Sequence, residues 1–110
     1  MKIAMPVDEN YLVDGEYTPF GHTPYFVIYD SDENTSVIMD NNEASCQYGA
    51  DIKTAQCLIS DHIDVLITPI CNEKVLNILK SAKVEIYKSI SGTFEDNTNA
   101  FKEGKLSLIK

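Results

Sequence analysis

Five short apolar runs, at residues 2–7, 25–29, 36–39, 65–68 and 84–87, constrain this chain most. Each is rich in β-branched or aromatic side chains and bounded by Asp, Asn, Gly or Pro, which is the pattern of strands. Between and after them the period changes. Over 49–60, Ile52, Ala55, Leu58 and Ile59 fall on one helical face. Asn72 offers an N-cap to a second stripe of Val75, Leu76, Leu79 and Ala82, with Lys80 and Lys83 toward the negative end of its dipole. Thr93, with Asp96 three places on, starts a third helix whose Phe94 and Phe101 face inward and which Gly104 ends. The order β-β-β-α-β-α-β-α specifies an α/β domain and excludes a bundle or a sandwich. At 110 residues, a single domain over residues 1–110 is expected.

The polar run Asp30-Ser31-Asp32-Glu33-Asn34-Thr35 suits a tight hairpin between the second and third strands, and its acids, like those of residues 40–43, read as solvated turns. Residues 8–23 form a connection of about 16 residues with no clear period, a length that in compact domains accompanies functional or mobile loops. At its end stands Phe20-Gly21-His22-Thr23-Pro24-Tyr25-Phe26. Gly21 can take positive φ there and Pro24 biases Thr23 toward extended geometry, so the turn can hold one shape while presenting the His22 imidazole.

Seventeen acids against nine bases give a net charge of −8, which excludes a nucleic-acid backbone as the natural partner. No window reaches the length of a membrane span and the start lacks the apolar region of a signal peptide, so a cytoplasmic location is expected. Three cysteines, an odd number, argue against a disulfide framework and leave thiols for metal or redox chemistry. Cys71 stands just before the helix that begins near Asn72, where the dipole is expected to lower the thiol pKa. Enzymatic readings lack their parts. Two-metal nuclease chemistry needs carboxylates on central strands, yet Ile3-Ala4-Met5-Pro6-Val7 has none. Neither G-x-x-x-x-G-K-[ST] nor G-x-G-x-x-G occurs, and a Cys71–His22 dyad has no third group to orient it.

Several pieces in order carry a resemblance: Met1-Lys2-Ile3-Ala4-Met5-Pro6-Val7-Asp8, the turn of residues 20–26, Gly49-Ala50-Asp51-Ile52-Lys53-Thr54-Ala55-Gln56, Ile63-Asp64-Val65-Leu66-Ile67 and Ala100-Phe101-Lys102-Glu103-Gly104-Lys105-Leu106. Together they resemble the small domains named for dinitrogenase iron-molybdenum cofactor biosynthesis, among them nitrogenase accessory proteins that carry or insert metal clusters. The resemblance implies a ribonuclease H-like motif: a mixed five-stranded sheet of order 3-2-1-4-5, its second strand antiparallel, with three helices. In that arrangement one end of the sheet would gather Asp8, His22, the 41–47 loop with Cys46, Cys71, and Ser89-Ile90-Ser91-Gly92. Open α/β sheets bind ligands at such carboxyl ends. His62 precedes strand four and goes to the opposite end, and Cys57 lies off the helical stripe.

The implied function is non-enzymatic: binding or carriage of an iron-sulfur or iron-molybdenum type cluster, or its precursor, for delivery to a cluster-assembly or acceptor protein. Phe20, Gly21 and His22 would contact the cargo, and His22, Cys46 and Cys71 would ligate its metal, since thiolate and imidazole suit such ions. Family members often place a histidine before the Phe-Gly pair, where this chain has Pro19, and a glycine-rich turn where it has Thr68-Pro69-Ile70-Cys71. A small-molecule or protein-interaction module that kept the fold and lost the metal is the alternative from another class, and redox sensing at Cys71 is a third.

Overall fold

Ile3, Ala4, Met5 and Val7 are all buried, without the alternation of a half-solvated strand. The reason is position: β1 (Lys2–Val7) is the middle strand of a sheet covered by helices on both faces. The computed structural model describes residues 1–7, 25–41, 49–69 and 71–109. After β1 come β2 (Tyr25–Asp30), β3 (Thr35–Asp40), α1 (Ala50–Ser60), β4 (Val65–Thr68), α2 (Glu73–Ser81), β5 (Glu85–Lys88) and α3 (Phe94–Lys102). The sheet order is β3-β2-β1-β4-β5. β2 runs antiparallel to β1 and β3, while β4 runs parallel to β1 and β5. This is the mixed sheet that the resemblance implies, and every strand lies within a residue of its apolar run.

Two cores lie on the two faces. Ala4, Phe26, Ile28 and Leu66 pack with Ala55 and Leu58 of α1 and with Val75 and Leu79 of α2. On the other face Ile3, Met5, Tyr29, Val65 and Ile67 meet Phe94 and Phe101 of α3. Phe101 stands edge-on to Tyr87, ring centres 5.1 Å apart. Both phenylalanines thus take the inward role expected of them. The α1 stripe is rotated from the expected one: Ala50, Thr54, Ala55 and Leu58 are buried, and Ile52 is 37% exposed. A polar residue can hold the buried position because the Thr54 hydroxyl and the Asn41 side-chain amide bond each other at 3.2–3.3 Å. Ala82, expected in the α2 stripe, is exposed, since the helix ends at Ser81 and Ala82 is its C-cap.

Caps and turns follow local rules. The Asn72 side chain accepts from the Val75 N–H at 2.9 Å, and Thr93 with Asp96 forms a reciprocal capping box. In the β2–β3 hairpin the Asp30 carboxylate accepts from the Asp32 N–H at 2.9 Å. Gly104 takes φ +72 just past α3. The segment beyond it was not anticipated as structure. Lys88 N–H donates to Ser107 O at 2.8 Å and Ile109 N–H to Ile86 O at 2.7 Å, so residues 107–109 lie along β5 and close that edge of the sheet.

Candidate functional site

Pro6 lies in the carboxyl half of β1, at the end of the sheet where a ligand would lie, and pairs in register with Phe26 of β2. Among the described residues β1 pairs with β4 only through Ile3–Val65 and Ala4–Leu66, although β4 runs on to Thr68. Proline has no N–H to give a ladder, and here it sits in a central strand rather than at an edge. Pro6 therefore withholds one donor from the carboxyl half of the β1–β4 seam. The strand order also turns between β1 and β4, the chain building β2 and β3 on one side of β1 before crossing to β4 and β5 on the other. Ligands of open α/β sheets enter at such a switch. A proline inside an otherwise clean strand was the signal available in the sequence for this feature.

The carboxyl end is walled by two described loops. After β4, Cys71 is half-buried and packed against the α1–α2 core, its sulfur 3.7 Å from Asn72 O. The Asn72 amide also donates to Asp51 at the start of α1, at 2.8 Å, tying the two helix N-termini together. Burial, and then the Asp51 charge, push the Cys71 thiol up to about 11. The expectation that the α2 dipole would lower it is therefore wrong. Asn72 already satisfies an N–H of the first turn, and desolvation with a nearby carboxylate outweighs what remains of the dipole.

After β5, the loop of residues 89–92 is held by Asn97, a fully buried residue of α3 that sequence reasoning missed. Its carbonyl accepts from Ile90 N–H at 2.8 Å, and its amide donates to Ile90 O at 3.1 Å and Thr93 O at 3.0 Å. Gly92 sits at φ +131, where a Cβ would fall 2.5 Å from Asp96 Oδ2, so the loop approaches α3 as only glycine permits. This wall, tied to α3 through Asn97, presents Ile90, 45% exposed, with Ser89 and Ser91 beside it. Asparagine four places after an N-cap was a weak sequence signal for it.

Cys71 and the 89–92 loop therefore share the expected end of the sheet. Phe20, Gly21, His22 and Cys46, with Asp8 and the long 8–23 connection, lie outside the described residues. At the opposite end, Lys2 N–H donates to the Asp64 carboxylate at 2.8 Å and the Met1 ammonium meets Asp32 at 2.6 Å. His62 lies at that end, exposed at φ +60, and Cys57 is exposed on α1, so both are placed as expected. Among the described residues no three His, Cys, Asp or Glu side chains gather as a metal site, and no helix is long and apolar enough to cross a membrane.

Comparison with known proteins places this architecture. The chain is similar, at 25% identity over its whole length and 92% of the relative's, to an uncharacterized protein of Methanocaldococcus jannaschii. Its structure is similar to the apo form of the orange protein of Desulfovibrio gigas, with a TM-score of 0.86 and 25% identity over 98% of this chain and 92% of that one. A Thermotoga protein described as a candidate NifB gives a TM-score of 0.79 and 27% identity, over 97% of this chain and 91% of that one. Residues 1–104 match the family model described as dinitrogenase iron-molybdenum cofactor, and the chain belongs to that family.

Proposed function

We propose that this protein binds an iron-sulfur or iron-molybdenum type cluster, or its precursor, as cargo at the carboxyl end of the sheet and passes it to an assembly or acceptor protein, without catalysing a reaction. The match of residues 1–104 to the cofactor family carries this reading. The proline-bearing β1–β4 seam, the 89–92 wall hydrogen-bonded to Asn97 and the soft ligand Cys71 at the same end support it. His22 and Cys46 are the further ligands proposed, with Phe20 and Gly21 shaping the approach.

Anaerobic reconstitution followed by measurement of bound iron, sulfide and molybdenum tests the reading. The parent should load metal with sulfide, Cys71→Ser combined with His22→Ala should load several-fold less at nearly unchanged thermal stability, and Cys57→Ser should load like the parent. Equal loading by the double variant removes these residues from the site. A second reading, an interaction module of the same fold without metal, draws on Pro19 in place of the family histidine and on the raised Cys71 pKa. A parent that takes up no metal under any of these conditions favours it.

A further inference from the structure

The two lateral edges of the sheet are finished differently. Residues 107–109 cover β5, whereas nothing among the described residues pairs with the outer side of β3. Five of its six residues are exposed, including Val37 at 61% and Ile38 at 46%. Proteins guard such edges with lysine, proline or a bulge. β3 has no lysine or proline, and it pairs with β2 through six consecutive partners without a bulge.

A cleft borders this edge on each face. One of about 440 Å³ lies between β3 and α1, with Met39, Ser60 and Asp61 in its wall. The other, of about 290 Å³, lies between the β2–β3 hairpin and α3, with Ser36, Glu95 and Lys102 in its wall. Side chains of a strand added to β3 point alternately to these two faces, so backbone pairing and side-chain seats coincide.

Charge selects the occupant. The strand is bracketed by Asp32 and Glu33 before it and Asp40 at its end, with Asp61 and Glu95 in the clefts. Four cations lie among them: the Met1 ammonium at 2.6 Å from Asp32, Lys2, whose Nζ donates to Asp61 O at 3.4 Å, Lys53, and Lys102, whose ammonium donates to the Tyr29 hydroxyl at 2.9 Å and lies 4.9 Å from the ring centre. Glu33 and Asp40, flanking and ending β3, have no ion pair among the described residues. A second copy of β3, paired antiparallel, would set its own Asp40 beside this acidic turn, and like charges opposed across strands destabilise pairing.

We propose that the β3 edge receives an extended segment of a partner protein, apolar at alternate positions and carrying lysine or arginine at its ends. This does not depend on what the carboxyl end of the sheet binds. Two synthetic peptides test it, one alternating valine and threonine between lysine pairs, the other with the same core between glutamate pairs. The lysine peptide should bind about tenfold more tightly, the effect of a few surface ion pairs, and should slow amide exchange within residues 35–40. Val37→Lys should abolish that protection with an unchanged unfolding midpoint. Glu33→Gln with Asp40→Asn, which alters only exposed side chains, should erase most of the preference for lysine even if Val37→Lys proves unstable. Equal binding of the two peptides, no slowing at 35–40, or a dimer that Val37→Lys dissociates would overturn the proposal.

Discussion

At Cys71 two effects act on one sulfur in opposite directions. The start of α2 favours a thiolate, while burial and the Asp51 charge favour the thiol, and the second pair prevails by bringing the pKa up to about 11. In neutral metal-free solution the group stays protonated, which counts against redox sensing by a poised thiolate. Iodoacetamide at about pH 8 should therefore modify exposed Cys57 well before Cys71, as read by peptide mapping, and Asp51→Asn should speed modification of Cys71. Because the folded pKa lies above the ordinary thiol value of about 9, the group stabilises the fold fully below about pH 9 and loses that contribution as pH rises toward about 11. With the side chain only half-buried, the loss should be on the order of 1 kcal/mol in denaturant unfolding, and absent from Cys71→Ser. Sequence made the neighbouring caps legible, since Asn72 and Thr93 act within three residues of themselves. The state of Cys71 was not legible, because Asp51 stands a helix away in the chain and meets it only after folding.

The 89–92 loop and α3 act as one element. Asn97→Ala would strand the Ile90 N–H and C=O without their partner, at a cost of about 2–3 kcal/mol in unfolding free energy, with faster amide exchange at Ile90. Gly92→Ala should cost about 1–3 kcal/mol, since it strains the backbone and drives a methyl group into Asp96, half of the α3 capping box. A thermal midpoint equal to the parent's would contradict this. Periodicity located all three helices and the inward faces of α2 and α3, but misjudged how α1 is turned. Ile52 fits an apolar stripe, yet rotation about a helix axis is settled by docking, and α1 docks through Thr54 because Asn41 supplies a partner.

Across the whole molecule, the element order followed from the apolar runs and the short turn at residues 30–35 signalled that β2 and β3 run antiparallel, whereas the full strand order came only through the resemblance, because period says nothing about which strands lie side by side. The cover over β5 escaped notice because Leu106-Ser107-Leu108-Ile109 is too short to read as a strand by itself. Deleting residues 107–109 should lower stability by about 1–2 kcal/mol and promote aggregation, since it frees the Ile86 and Lys88 backbone and removes Ile109 from the core. Light scattering and unfolding of the shortened chain would check both effects.

Pro6 also sets how the sheet yields under load. Parting two neighbouring strands breaks backbone hydrogen bonds, and beyond Ala4–Leu66 Pro6 withholds one donor from the β1–β4 seam. A body entering along that line from the carboxyl end would have one bond fewer to part, with Ile3–Val65 and Ala4–Leu66 as the pivot behind it.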